Sequence, residues 1–325
     1  MFNYDGLNQM LKEQGITRTD LRTLVGLSSR TIAKIGKGEK LSRNTLARIA
    51  KYLECNPAEL VREISDNVIL QTLRDEKAAR ISGGLYHELQ IRMTYNSNHI
   101  EGSTLTEEQT RLIFETNTID AGDGVPVDDI LETVHHFRAI DYVIDHAEDV
   151  LTEDIIKQLH YILKHDTKDA ALSWFAVGDY KKRPNMIGGR ETAKPEEVQE
   201  RIKELLAQYI RKENVTIDDI IAFHAELEYI HPFQDGNGRV GRLVALKECL
   251  HHNIVPFIIE DRKKAFYYRG LANWRQEKGW LRDTCLDGQD TFKVLLAQLG
   301  VPYETDSNSE KDVSEHNKGR VCYSR

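Results

Sequence analysis

The chain has 325 residues, 40% hydrophobic and 30% charged, a soluble balance with length for one large domain and a small one. No apolar run approaches a membrane span, and the start MFNYDGLNQMLKEQG lacks the apolar stretch of a signal peptide, so a cytoplasmic protein without a membrane partner is expected. Cys55, Cys249, Cys285 and Cys322 have no CxxC spacing, which fits a reducing compartment and suggests neither a disulfide framework nor a zinc site. The net charge of −8 is unevenly spread: residues 1–63 hold 11 Lys/Arg against 7 Asp/Glu, and the rest 33 against 45. A small basic module, suited to nucleic acid, precedes a larger acidic one that is not.

The first 63 residues read as short helices. Leu7, Met10 and Leu11 recur at helical spacing until Gly15 breaks the run. TRTDLRTLVG predicts a second helix, capped by Thr17 or Thr19 and ended at Gly26. RTIAKIGKG and NTLARIAKYL follow, then NPAELVREI with Pro57 at a helix start. Helix, glycine turn, helix over residues 5–63 resembles the Cro/C1-type repressor family. The resemblance implies a recognition helix from about Ser29, with Ser28, Ser29, Arg30, Thr31 and Lys34 facing a DNA major groove or its phosphates. It also makes a homodimer a candidate assembly. The competing reading is a helical bundle used for dimerisation or target docking.

Residues 64–84 suggest a connecting helix that ends at Gly83-Gly84, and a second domain runs from 85 to about 300. Its segments YHELQIRMTY, TEEQTRLIFET, DDILETVHHFRAIDYVIDH, TEDIIKQLHYILKH, PEEVQERIKELLAQYI, TIDDIIAFHAELEYIH and RVGRLVALKECLHH have apolar residues every three or four positions. The expected fold class is therefore mainly α. GDYKKRPNMIGGRETAKP is short and turn-rich, as a β-hairpin or extended loop should be. Residues 301–325 are polar and expected to be disordered.

The chemistry concentrates in HPFQDGNGRVGR, His231 to Arg242. Gly236 and Gly238 allow close backbone approach, and successive N–H groups at a helix start form an anion site. Arg239 and Arg242, three apart on the following helix, suit phosphate oxygens. Asp235 can hold a magnesium ion bridging those oxygens, and His231 has the titration range of a general base. Base, metal carboxylate and phosphate cradle together point to transfer of a phosphorus-containing group onto a hydroxyl. An EF-hand is excluded by Val240 and Leu246 at its sixth and twelfth positions, and neither GxxxxGK[ST] nor HExxH occurs.

HPFQDGNGRVGR matches the Fic motif HxFx(D/E)GNGRxxR at every specified position, and the sequence resembles that family over about residues 85–300. The resemblance implies a helical Fic fold and transfer of AMP from ATP to a Ser, Thr or Tyr hydroxyl of a protein target or of the chain itself. His231 would deprotonate the acceptor, Phe233 anchor the loop and Asp235 bind Mg2+. Gly236, Asn237 and Gly238 would form the anion hole with help from Arg239, and Arg242 would pair with the γ-phosphate. The intact GNGRxxR end sets the chain apart from Doc-type phosphotransferases.

Ser97-Asn-His-Ile-Glu101-Gly102 fits the family's inhibitory pattern [ST]xxxE[GN], which implies that Glu101 occupies the γ-phosphate partner Arg242. Met186, Ile187 and Gly188 fall where the family has its flap, a hairpin that aligns the target by main-chain hydrogen bonds. Tyr267 and Tyr268 are placed to line the nucleotide pocket. His135, His136, His251 and His252 lack partnering cysteines and read as packed or solvated. Two alternatives remain: a DNA-binding regulator with the Fic domain as nucleotide-dependent module, and removal of AMP with Glu101 positioning water.

Overall fold

The computed structural model describes residues 2–37, 39–63, 67–120 and 124–303. The polar tail expected over 301–325 therefore lies almost wholly outside the described residues. The chain forms two compact units, Met1–Gln71 and Thr72–Arg325.

In the first unit β1 (Phe2–Asn3) is followed by α1 (Asp5–Glu13), α2 (Leu21–Leu24), α3 (Ser29–Gly36), α4 (Arg43–Leu53), α5 (Pro57–Leu60) and β2 (Arg62–Glu63). Leu7, Leu11, Leu21, Leu27, Ile35, Ile49, Leu53 and Leu60 close its core, so each short helix contributes one apolar stripe. Thr17 caps the turn into α2: its N–H donates to the Asp20 carboxylate, and its hydroxyl accepts from Asp20 N–H at 3.3 Å. Ser28 caps α3 by accepting from Thr31 N–H, and Arg48 seals the α2–α3 turn by donating to the Val25 and Gly26 carbonyls. The antiparallel β1–β2 pairing was not anticipated, since two-residue strands carry no alternation to read.

α6 (Val68–Ala79) spans the division between the units. Its second half is tied to α9 (Val127–Asp145) by Arg74 on the Ile144 carbonyl and Lys77 on Asp145, and to the turn after α9 by Arg74 on Glu148. The larger unit continues through α7 (Leu85–Ile100), α8 (Glu107–Thr116), α9 and α10 (Glu153–Lys164) to the hairpin β3 (Met186–Ile187) and β4 (Arg190–Glu191). α11 (Pro195–Ile210), α12 (Ile217–Ile230), α13 (Asn237–His251), α14 (Lys264–Ala272) and α15 (Gly279–Gln298) complete it. α13 is buried on nearly all sides, as a central helix should be, and α7, α9, α10 and α12 pack around it. Polar side chains dock α7 onto α9: Thr94 on His136 at 3.0 Å, and Asn98 on Thr133 at 3.2 Å. α15 had no counterpart among the expected helices. Among the described residues no helix is long and apolar enough to cross a membrane.

Candidate active site

α12 and α13 meet at the loop His231–Gly236. α12 ends because His231 takes a left-handed conformation (φ 55°) and Pro232 follows, unable to continue the hydrogen-bond ladder. Phe233 is fully buried and stacks on His160 with centroids 4.0 Å apart, so the loop is pinned from below. Asn237 closes it from the other end: its amide accepts from Phe233 N–H at 2.7 Å and donates to the Phe233 carbonyl at 2.9 Å. Gly236 sits at φ 79°, where a side chain would be strained, and α13 begins immediately after it.

A cleft of about 600 Å³ opens above this loop, a size typical of small-molecule sites. His231, Asp235, Gly236, Asn237, Gly238, Arg242, Tyr267 and Tyr268 line it together with Glu101, Ile187 and Gly188. The first N–H groups of α13, which have no intrahelical acceptor, thus face the cleft at the positive end of the helix dipole. Burial pushes the His231 imidazole down to about 3, with the Lys181 ammonium adding to the effect, so the ring is neutral at pH 7 but a weaker base than the near-neutral histidine the sequence suggests.

Asp235 belongs to a charged cluster behind the cleft. Lys164 Nζ donates to Asp235 Oδ2 at 2.7 Å and to Glu132 Oε1 at 2.6 Å, and Arg239 pairs with Glu132 and, at 3.4 Å, with Asp235. Burial opposes ionisation of Asp235, yet Arg239 and Lys164 outweigh it and hold the carboxyl well below the usual range. The side chain remains half exposed to the cleft. Among the described residues no three His, Cys, Asp or Glu converge on a metal-sized site. Asp235 is thus an ionised carboxylate that faces the cleft beside the start of α13, with Oδ2 engaged by Lys164 and Arg239.

Arg239 is where the sequence reading needs correcting. It is 3% exposed, absent from the cleft lining and spent on Glu132, so it braces the loop instead of facing a phosphate. Arg242 does reach the cleft. Its Nε donates to Ser97 Oγ and its Nη2 to the Ser97 carbonyl, both at 2.9 Å. Nη2 also pairs with Glu101 Oε1 at 2.7 Å. Glu101 is the C-cap of α7, and Gly102 follows at φ 104°. The Glu101 carboxylate lies over the start of α13, where a Cβ on Gly238 would meet Oε1 at 2.2 Å. A carboxylate therefore sits where the helix end would hold an anion.

Met186 and Ile187 lie on β3, and Gly188-Gly189, both at positive φ, make the two-residue turn to β4. Ile187 and Gly188 line the cleft, while Met186 is 63% exposed and does not. Tyr267 is buried, its hydroxyl between His224 and Arg242, whereas the half-exposed Tyr268 donates to the Ile100 carbonyl at the end of α7. His136 bonds Thr94, His135 stacks on His165 and His251 contacts the Ala147 carbonyl, so these histidines are packed as expected.

The sequence reading missed Glu132, Lys164, Lys181 and Glu228. Lys181 is buried without a carboxylate partner among the described residues and is pushed down to about 8 by burial. It donates to Asn185 Oδ1 and Thr192 Oγ1 at the two roots of the hairpin, while its N–H bonds the Pro232 carbonyl. Asn185 in turn donates to the Phe233 carbonyl, so flap and catalytic loop are laced together. Burial pushes the cleft-lining Glu228 carboxyl up to about 8 although Arg242 pulls the other way.

The cleft thus joins a helix N-terminus, a neutral histidine and an arginine paired with a glutamate from the end of a neighbouring helix. Comparison with known proteins identifies the domains that carry it. Residues 150–249 match the Fic/DOC family and residues 6–66 the Cro/C1-type HTH DNA-binding domain, so the chain carries a Fic/DOC domain behind a helix-turn-helix domain. It is 28% identical over 245 residues to a protein adenylyltransferase Fic of Nematostella vectensis, which covers 69% of this chain and 55% of that protein. A second such relative, from Drosophila sechellia, is 27% identical over 57% of this chain and 38% of its own length. The chain thus spans about half or less of these relatives. A Fic domain containing signaling protein from Bacteroides thetaiotaomicron shares the fold with a TM-score of 0.57 and 24% identity, over 74% of this chain and all of the other.

Proposed function

We propose that the protein is an adenylyltransferase that moves AMP from ATP to a Ser, Thr or Tyr hydroxyl of a protein, releasing diphosphate, and that Glu101 holds it in check. The carrying observation is the Glu101–Arg242 ion pair over the start of α13, beside a neutral His231. His231 takes the proton of the acceptor hydroxyl, whose oxygen then attacks the α-phosphorus. The N–H groups at Gly236, Asn237 and Gly238 receive the phosphate charge. Asp235 would hold Mg2+, which neutralises that charge when bound. Arg242 takes the γ-phosphate only after Glu101 withdraws, so the triphosphate is denied its in-line pose while the pair persists. Tyr267 and Tyr268 wall the nucleotide side, and Ile187 with Gly188 align the target. AMP from labelled ATP should appear on protein with the Glu101→Gly chain, and His231→Ala in that chain should abolish it.

For the first unit we propose DNA binding. Ser29 and Arg30 are exposed on the Ser28-capped α3, Thr31 Oγ1 is engaged by Ser28, and Lys34 lies 4.0 Å from Glu39. A gel shift on a promoter fragment should disappear with Arg30→Ala combined with Lys34→Ala. Cytoplasmic residence is the companion proposal, supported by the free thiols of Cys249 and Cys285 in the core.

A further inference from the structure

The flap carries a charge opposite to that of its surroundings. Residues 181–194 hold five Lys/Arg against one Asp/Glu, whereas residues 64–325 as a whole hold 33 against 45. Nearby cations are neutralised: Lys157 by Glu153 and Asp179, Arg201 by Glu197, Arg275 by Glu226. Among the described residues Lys182, Arg183, Arg190 and Lys194 have no carboxylate within ion-pair distance.

Two of these cations are held in place by aromatic rings. Arg183 lies 4.7 Å from the centre of the Trp174 ring, and Arg190 lies 3.7 Å from that of Tyr229 while donating to the Tyr229 carbonyl. A guanidinium fixed against an aromatic ring loses little freedom on meeting an anion, so both are preorganised. The cleft does not use the outer ones: Lys182, Arg183 and Lys194 are exposed and absent from its lining. Their charge is therefore available to something that passes outside the nucleotide. Among the described residues the adjoining β3 has only β4 as a sheet neighbour, and Met186 and Ile187 are exposed on it. An open edge strand is a template for an added strand.

We propose that the target segment aligned at the flap is acidic: an extended stretch of another protein that carries Asp or Glu within a few residues of the acceptor hydroxyl, facing Lys182, Arg183 and Lys194. This rests on the adenylyltransferase reading and names its substrate class. Main-chain pairing supplies register, and the flanking cations supply selection, since a basic segment meets like charge on both sides of the hairpin.

The test uses the full-length Glu101→Gly chain loaded with a non-hydrolysable ATP analogue. Three fluorescent peptides of equal length, with a central tyrosine flanked by Glu, Gln or Lys, are titrated by anisotropy. The Glu peptide should bind about tenfold more tightly than the Gln peptide at low salt, and the gap should shrink as salt rises. Lys182→Glu with Arg183→Glu should reverse the order of the Glu and Lys peptides while leaving affinity for the ATP analogue intact, which also shows that the variant is folded. Equal affinities, no saturable binding of the Glu peptide, or an order indifferent to charge reversal would each overturn the proposal. Failure of the adenylyltransferase reading gives a different signal: no AMP from labelled ATP on any protein, the chain itself included.

Discussion

Replacing Glu101 with glycine isolates the contact on which the proposed regulation depends. The Glu101–Arg242 bond is charge-assisted and 2.7 Å long, with Arg242 4% exposed and Glu101 28% exposed. Such a bond has a net worth of about 1.5–3 kcal/mol, equivalent to about 10–100-fold in an equilibrium. The rest of α7 should stay docked, because the Thr94–His136 and Asn98–Thr133 bonds and both Ser97 contacts to Arg242 do not involve Glu101. Transfer of AMP from labelled ATP should therefore rise about 10–100-fold, the factor by which the competing carboxylate is removed. Leaving Arg242 without its carboxylate should lower the melting temperature by about 3–12 °C. Saturating ATP should restore more of that loss than it adds to the parent chain, since a triphosphate resupplies the missing anion. Radiolabel transfer and thermal melts with and without ATP check both arms. An unchanged rate together with equal ATP stabilisation in the two chains would refute the competition between glutamate and phosphate.

Lys164→Met should cost about 3–5 kcal/mol in chemical denaturation, because Glu132 and Asp235 both lose a buried counterion. Adding Asp235→Asn should recover part of that cost, and strict additivity would mean the two side chains are not coupled. Glu228 gives a stability prediction with a defined sign. Its carboxyl is raised from the usual range to about 8, so between about pH 4.5 and 8 the folded chain holds a proton that the unfolded chain releases. The stability this contributes is complete below pH 4.5 and lost as pH rises through 8, at about 1.4 kcal/mol per pH unit. Glu228→Gln should therefore melt close to the parent near pH 4.5 and increasingly above it toward pH 8, and parallel melting curves across that range would show the carboxyl is not buried as described.

The residues legible in the sequence were those whose chemistry is local. His231, Asp235 and Gly236 to Gly238 owe their placement to one loop, and Gly102 to the end of one helix, so neighbouring residues announced them. Glu101 and Arg242, 141 residues apart, could be joined only through a family pattern. Lys164 and Glu132 were invisible for the converse reason: each looks like the solvated face of an amphipathic helix until α9 and α10 bring them behind Asp235. Arg239 was misread because its spacing from Arg242 says that two side chains share a helix face, and not which carboxylate a neighbouring helix offers. Buried ionic clusters are built by tertiary packing, and helical periodicity carries no record of them.

The contrast between those two arginines is what the proposed regulation requires. Both leave α13 within one turn, both are nearly inaccessible, and both meet a glutamate from a neighbouring helix. Glu132 lies inside α9, its carboxylate bonded to both Lys164 and Arg239, so removing it would take a shared counterion from two buried cations and leave them chiefly to Asp235. Glu101 is the C-cap of α7, opposite an arginine whose two bonds to Ser97 do not involve the carboxylate. In the proposed regulation, movement of the Glu101 side chain takes the carboxylate from Arg242 Nη2, and the Tyr268 bond to the Ile100 carbonyl joins the end of α7 to a residue that lines the cleft. The proposed regulation thus asks only the Glu101 pair to exchange, although the two arginines are three residues apart.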